Sequence, residues 1–140
     1  MAPRAVGRVM SADSDDVFHP FGDLIGLAFT DVAEGASECT LAVTDDLKNP
    51  LGVVHGGVLY AMADTGMGGA LYPTLDDDEV GTTIEVTVRY FRPVREGRVT
   101  CETEVVHRGG SIAHLASEVR HDGEAVAHAV GSFFVRERDG

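Results

Sequence analysis

Basic residues are scarce in this sequence, and lysine is nearly absent. Lys48 is the only lysine, and 11 Lys and Arg stand against 23 Asp and Glu, which gives a net charge of −12 at pH 7. This charge argues against nucleic acid as a partner, because no basic stripe is present to balance phosphate. An acidic, lysine-poor surface is typical of a salt-adapted organism, where salt screens repulsion between carboxylates. A merely acidic mesophilic protein is the alternative.

Long apolar runs, a signal sequence and cysteine clusters are also missing. No stretch of about 18 apolar residues occurs, so no segment is predicted to span a membrane. Residues 1–14 lack the apolar core of a signal peptide, which argues against secretion. Cys39 and Cys101 have no metal-type spacing, so we expect reduced packing residues in a cytoplasmic protein. The 140 residues predict one domain, at 16–138, behind a polar N-terminal segment at 1–15.

Turn signals divide the rest of the chain into two helices and six strands. A short helix is expected to end near Gly26, and Glu34-Gly35 separates the strands of a hairpin. A long helix is expected at 56–72. Strands are expected at 27–34, 36–44, 81–92, 98–107, 111–121 and 124–136. The order of two strands, one helix and four antiparallel strands predicts an α+β fold in which a curved sheet wraps around the long helix.

The strand at 81–92 alternates between polar and apolar residues. By this pattern one face carries Thr83, Glu85, Thr87 and Arg89, and the other carries Ile84, Val86, Val88 and Tyr90. The acidic stretch at 76–79, just before this strand, is typical of an exposed connector.

The stretch at 49–72 organises the chain. After a loop rich in turn residues comes a helix that is apolar or small almost all round, which is typical of a helix enclosed by protein. Between His55 and Asp76, Asp64 is the only side chain that ionises near neutral pH. A lone carboxylate there is costly unless it is paired, hydrogen-bonded or used, so Asp64 is the leading functional candidate. The glycines at 66, 68 and 69 each cost the helix up to ~1 kcal/mol, and we expect close approach of the sheet or a partner as compensation.

His55-Gly56-Gly57 lies where the loop becomes the helix. Unpaired N–H groups and the positive end of the helix dipole favour a developing oxyanion there, and glycine lets a carbonyl approach the backbone. Asp64 lies eight residues further on, about 12 Å along the axis at about 1.5 Å per residue. That offset is too long for both groups of one chain to act on one carbonyl. Two antiparallel helices across a two-fold axis would bring Asp64 of one chain to Gly56 of the other, so we expect a site shared by a dimer.

The pattern Asn49-Pro50-x-Gly52-x-x-His55-Gly56-Gly57, with Asp64 in the helix and a later Tyr90-Phe91-Arg92-Pro93, resembles a known family. It is similar to the hotdog-fold acyl-CoA thioesterases. The nearest group is the phenylacetic-acid-degradation (PaaI-like) branch of the 4-hydroxybenzoyl-CoA thioesterase superfamily. The resemblance covers roughly residues 20–136.

The resemblance implies hydrolysis of an acyl-CoA, or of a similar pantetheine thioester, without a metal or other cofactor. We expect a homodimer or homotetramer. An aryl or medium-chain acyl pocket is expected from Tyr60, Met62, Met67 and Tyr72, for which core packing is the alternative role. Asp64 would be the nucleophile or the general base, and the Gly56 amide would polarise the thioester carbonyl. Asn49 and His55 would help to orient the carbonyl and the carboxylate. Thr83 would hold the water or the carboxylate of the partner subunit. Plain turn chemistry at Asn49 and an ordinary strand threonine at Thr83 are the alternatives.

Recognition of the CoA phosphates is less defined by the resemblance. Relatives often place a basic residue after the glycine of the turn before the fifth strand, but here Gly109 is followed by Gly110. The predicted CoA-binding residues are therefore Arg92, Arg108, Gly109 and Arg89. Two other functions are kept open: a dehydratase or hydratase acting on acyl thioesters, and a non-catalytic acyl-CoA binding or sensing protein, which would tolerate loss of the Asp64 charge.

Overall fold

A computed structural model of the chain describes residues 19–139, so the segment predicted at 1–15 lies outside the described residues. Its helices are α1 (Pro20–Ile25) and α2 (Gly56–Leu71), and its strands are β1 (Ala28–Ala33), β2 (Ala36–Ala42), β3 (Glu79–Tyr90), β4 (Arg98–Arg108), β5 (Ile112–His121) and β6 (Glu124–Glu137). The six strands form one antiparallel sheet in the order β1-β2-β4-β5-β6-β3. The sheet curves around α2, and the predicted α+β hotdog fold is confirmed.

Local sequence signals explain where the elements begin and end. α1 ends at Gly26, whose φ of 79° is the left-handed conformation that glycine adopts readily. Gly35 (φ 83°) turns β1 into β2, as the hairpin prediction requires. After α2, the chain passes into a short 3-10 turn at Tyr72–Thr74, because Pro73 cannot continue the hydrogen bonding of the helix.

Two apolar clusters fix α2 against the concave face of the sheet. One surrounds Leu59 and Met62 in the first half of the helix, and the other surrounds Met67 and Leu71 in the second half. Close approach is visible at Gly66, where an added Cβ would lie 2.7 Å from Thr103 Oγ1, and at Gly69, where it would lie 2.4 Å from Phe29 Cε1. The expected reason for these two glycines is therefore confirmed. Around Gly68, by contrast, an added Cβ would meet nothing within 4 Å.

Residues 19–139 of one chain enclose only part of the helix, whereas its composition predicted protein on all sides. The sheet buries one side of α2, while a strip with helical spacing stays partly or fully accessible: Gly57, Tyr60, Ala61, Asp64, Thr65, Gly68 and, just past the end, Tyr72. Within residues 19–139, the helix therefore has one side packed against the sheet and a second side, with small and weakly polar residues, that no other described residue covers fully.

A β-bulge in β3 corrects the predicted faces of that strand. Thr83 pairs with Phe133 and Glu85 pairs with Ser132, so Ile84 is an extra residue without a partner of its own. The strand therefore turns Thr83 toward α2, on the same side as Val86 and Val88, whereas simple alternation placed Thr83 on the opposite face. Ile84 is 53% exposed, which is contrary to its predicted place on the apolar face.

The two cysteines are neighbours, which the sequence did not reveal. Cys39 in β2 lies directly opposite Cys101 in β4, and both thiols are free and fully buried beneath α2. Hydrogen bonding to Cys101 and burial hold the pKa of the Cys39 thiol well above its usual range. Their role as reduced packing residues agrees with this arrangement.

Candidate functional site

Asp64 lies on the accessible strip of α2 and is held by a strand of the same chain. Thr83 Oγ1 donates a hydrogen bond of 2.7 Å to Asp64 Oδ1. The family resemblance had implied that Thr83 holds water or the partner's carboxylate, but here it holds the carboxylate of its own chain. The contact satisfies one oxygen of Asp64, and no residue in the described range 19–139 donates a hydrogen bond to Oδ2, which can act as a base or a nucleophile.

A pocket of about 260 Å³ opens beside this carboxylate. Its lining combines aromatic rings, glycine backbone and a few polar groups: His19, Phe29, Asp64, Thr65, Gly68, Gly69, Tyr72, Thr83 and Phe133. Gly68 contributes no side chain and leaves the space above it open, whereas the Phe29 ring packs directly against Gly69. The pocket therefore offers one carboxylate oxygen at the edge of a largely apolar chamber.

The N-terminal end of α2 is built for a negatively charged oxygen. His55 is the N-cap residue, and its Nδ1 accepts a hydrogen bond of 2.8 Å from Gly57 N–H. The first N–H groups of a helix have no carbonyl partner within it. That of Gly56 has no acceptor among residues 19–139, so it is available to a bound carbonyl oxygen. The exposed His55 side chain thus caps the helix through Nδ1, and its Nε2 makes no hydrogen bond to the described residues.

Tyr90 fixes the first turn of this helix from the end of β3. Its hydroxyl donates a hydrogen bond of 2.7 Å to Gly56 O, and its ring lies so close that a Cβ on Gly56 would stand 3.1 Å from Tyr90 Cζ. Burial, followed by the charge of nearby Tyr60, raises the pKa of Tyr90, which keeps the hydroxyl a donor. Tyr90 was noted in the sequence only as part of a motif, because a contact over 34 residues has no local signature.

Gly56 and Asp64 open onto different pockets. Gly56 lies in a second pocket of about 300 Å³, lined by Val53, Val54, Gly56, Leu59, Tyr90, Phe91, Arg92, Pro93 and Val94. Neither Asp64 nor Thr83 is part of that lining. The separation agrees with the axial offset of about 12 Å that eight helical residues produce.

Asn49 has a local partner set. Its Oδ1 accepts hydrogen bonds from Leu51 N–H at 2.9 Å and Val53 N–H at 3.5 Å, the geometry of an Asx turn. The turn shapes the loop that leads into α2. In this loop, Val54 N–H donates a hydrogen bond of 2.7 Å to Val94 O. Asn49 thus stabilises the turn, as the alternative for a residue before Pro50 predicts. It lines neither of the two pockets.

The predicted CoA-binding residues are dispersed. Arg92 lines the Gly56 pocket and is exposed, 3.8 Å from Glu124. Arg108 is half-buried and engaged, since it donates to Thr74 Oγ1 at 3.1 Å and pairs with Glu79 at 3.1 Å. Gly109 forms the turn after β4 through its N–H to Ile112 O at 2.9 Å. Arg89 lies opposite His128 on β6. The structure therefore brings only Arg92 near a site group.

Comparisons with known proteins agree with this architecture. The family model described as Thioesterase superfamily matches residues 51–128. The chain belongs to the thioesterase superfamily. As a member of it, with the PaaI-like hotdog fold, the chain is a thioester hydrolase. Among residues 19–139, no helix has the length and apolar character that a membrane span requires.

Solved structures and curated relatives support the same family. A conserved protein of Pseudomonas aeruginosa superposes with a TM-score of 0.82 at 29% identity, covering 90% of this chain and 100% of that one. A variant of the phenylacetic acid degradation protein PaaI of Thermus thermophilus superposes with a TM-score of 0.78 at 29% identity, covering 83% and 98%. The 1,4-dihydroxy-2-naphthoyl-CoA hydrolase of Listeria monocytogenes is 27% identical to this chain. The match covers 64% of this chain and 72% of the length of that protein.

Proposed function

We propose that the protein hydrolyses an aryl acyl-CoA thioester to the free acid and CoA, in a site shared by two subunits. The observation that carries the proposal is the Thr83-held carboxylate of Asp64 at a pocket walled by Phe29, Tyr72 and Phe133. Flat rings of this kind favour an aromatic acyl group over a flexible chain. The names of PaaI and of the naphthoyl-CoA hydrolase among the relatives point the same way.

The chemistry follows from two groups. Asp64 Oδ2 takes a proton from water, which attacks the thioester carbonyl, or attacks that carbonyl itself. The Gly56 N–H of the partner subunit binds the oxygen as it becomes negative. When water attacks, collapse of the tetrahedral intermediate breaks the C–S bond, and the CoA thiolate takes up the proton that Asp64 received from water. When Asp64 attacks, collapse expels the CoA thiolate and leaves an acyl–Asp64 anhydride. Water then hydrolyses this anhydride, which releases the acid, regenerates Asp64 and supplies the proton that the thiolate takes up. Thr83 keeps Asp64 oriented throughout.

The edge strand β3 supports the shared site. Within the described residues β3 pairs only with β6, so one edge of a twelve-residue strand offers unpaired backbone groups. Pairing with a second copy around a two-fold axis would be antiparallel. With the axis near Val86 and Thr87, the Thr83 end of one strand lies beside the Tyr90 end of the other. Thr83 contacts Asp64, and Tyr90 contacts Gly56. This pairing would therefore bring Asp64 of one subunit close to Gly56 of the other.

Thiol release from a panel of aryl- and alkyl-CoA thioesters tests the proposal. The wild-type protein should release CoA from aryl thioesters, and Asp64→Asn should lower kcat by about 100-fold or more, because general-base catalysis contributes about that much. Asp76→Asn, which neutralises an exposed loop carboxylate, is the matched control and should keep full activity.

Two other outcomes point to the other functions. Undiminished acyl-CoA binding by Asp64→Asn, without thiol release by either protein, would indicate a non-catalytic binding protein. Conversion of an enoyl or 3-hydroxyacyl thioester without thiol release would indicate a hydratase or dehydratase.

A further inference from the structure

A second titratable side chain, His19, lines the pocket beside Asp64. It precedes α1, far from the central stretch in sequence, and lies outside the residues 51–128 that match the superfamily. Nothing in the sequence pattern assigns it a role, because its place in the same pocket as Asp64 depends on how distant parts of the chain pack together.

The cap of α1 fixes which ring nitrogen of His19 is the donor. Nδ1 of His19 accepts a hydrogen bond of 2.7 Å from Gly22 N–H. A neutral imidazole with Nδ1 as acceptor carries its proton on Nε2. Gly22 is needed for this contact, since a Cβ there would lie 2.5 Å from Nδ1. No residue in the described part of the chain accepts a hydrogen bond from Nε2, so the donor is free for a ligand.

The pocket that His19 lines is largely apolar, and its other polar side chains, besides Asp64 and Thr83, are Thr65 and Tyr72. Phe29 and Phe133 form walls, and Gly69 allows the edge of the Phe29 ring to approach the helix closely. Thr83 is already bound to Asp64. A ligand that fills this space desolvates the Nε2–H, which costs free energy unless the ligand supplies an acceptor. The acyl group that suits the pocket therefore carries an oxygen on an otherwise apolar ring.

We propose that His19 is a specificity-determining residue that donates its Nε2–H to an acceptor oxygen on the acyl group bound beside Asp64. The inference rests on the proposed function, because it assumes that this pocket receives the acyl group. It adds a requirement that the walls alone do not impose, namely selection of oxygen-bearing acyl groups over isosteres without oxygen.

Two substitutions separate the cap from the pocket. His19→Asn keeps an N-cap acceptor for Gly22 N–H, since asparagine is among the best N-cap residues, but it removes the Nε2–H. His19→Ala removes both. The thermal midpoint should therefore stay near the wild-type value for His19→Asn and fall for His19→Ala. An unchanged midpoint of the asparagine variant would show that its change in selectivity does not come from misfolding.

The substrates are 4-methoxyphenylacetyl-CoA and 4-ethylphenylacetyl-CoA, which have nearly the same shape and differ in one acceptor oxygen. We expect His19→Asn to lower kcat/KM for the methoxy substrate about tenfold, at the upper end of one hydrogen bond, and to leave the ethyl substrate within about twofold. Equal losses on both substrates, or no loss on either, would overturn the proposal.

Binding of the free acids separates this proposal from the hydrolytic one. Affinities for 4-methoxyphenylacetate and 4-ethylphenylacetate need the pocket but no turnover, and His19→Asn should weaken only the methoxy acid. If this difference appears without thiol release by the wild type, the proposed hydrolysis fails and the role of His19 stands. If thiol is released but neither turnover nor binding discriminates, His19 is not the selecting residue.

Discussion

At the scale of single residues, Thr83 illustrates how a common side chain acquires a specific place. A threonine in an alternating strand gives no sign of function, and the alternation even directs it away from the helix. The bulge at Ile84 turns it toward Asp64, and bulges have no reliable signature in a sequence without glycine at that point. Asp64 itself was predictable, because one carboxylate in an apolar helix is conspicuous. The family resemblance pointed to Thr83 as a helper of the partner subunit's carboxylate or of water, but not as the partner of Asp64 in its own chain.

The Thr83 contact predicts a pair of variants. Thr83→Val keeps the shape of the side chain but removes the donor, so Asp64 loses orientation and we expect kcat to fall about tenfold, the scale of one hydrogen bond to a charged group. Thr83→Ser keeps a hydroxyl and should retain most of the rate. Steady-state kinetics on the best aryl-CoA substrate would measure both. Similar rates for valine and serine would show that the hydroxyl does not orient Asp64.

His55, Asn49 and Arg108 show the opposite case, in which the structure gives motif residues local partners. His55 caps α2, Asn49 closes an Asx turn, and Arg108 binds Glu79 and the 3-10 turn. Sequence reasoning cannot separate a residue that touches the substrate from one that shapes the loop, since both tasks demand the same residue at the same position.

At the scale of elements, the packing of α2 against the sheet separates two glycines that look alike in the sequence. Gly66→Ala places a Cβ 2.7 Å from Thr103 Oγ1, a buried hydroxyl that also contacts Ser117 at 2.7 Å. We expect a loss of ~1–3 kcal/mol, typical of overpacking. Gly68→Ala meets nothing within 4 Å and should stabilise the protein by up to ~1 kcal/mol through helix propensity.

Chemical denaturation of the two alanine variants would measure these changes. Equal effects at 66 and 68 would contradict the close approach of α2 to the sheet at Gly66. The number and order of the elements were predictable from turn signals and apolar periodicity. The pairing of Cys39 with Cys101 was not, because register between strands so distant in the chain depends on the curvature of the whole sheet.

At the scale of the whole molecule, part of the acidic composition forms a row of glutamates across the sheet. Glu38, Glu102 and Glu118 lie directly opposite one another on three adjacent strands, and like charges in that position destabilise a sheet. Arg120 contacts two of them, Glu102 at 3.6 Å and Glu118 at 2.8 Å. Together with the net charge of −12, this arrangement leaves repulsion that salt can screen.

Stability should therefore rise with salt. We expect the thermal midpoint to increase from about 0.1 M to about 2 M KCl, because the Debye length falls to roughly 3 Å near 1 M. Glu102→Gln removes the central charge of the row and should show a smaller increase. A midpoint that falls with KCl would contradict the prediction and favour a merely acidic mesophilic protein.

The central claim is that each chain contributes two halves of different sites, and mixing two inactive variants tests it most directly. Asp64→Asn removes the acid. Gly56→Pro removes the N–H at the first helical position, where proline is well tolerated and where His55 already has the extended ψ of 135° that precedes proline. Gly56→Ala adds a Cβ near Tyr90 but keeps the N–H, so it controls for the steric effect and should retain clearly more activity than Gly56→Pro.

Each inactive variant alone should be nearly silent in thiol release. After the two are unfolded together and refolded in equal amounts, a two-fold dimer that assembles at random should regain about a quarter of the wild-type rate, because half of the dimers are mixed and each holds one intact site. No gain of activity, although mixed dimers are detected, would mean that Asp64 and Gly56 of one chain serve the same site and would contradict the account.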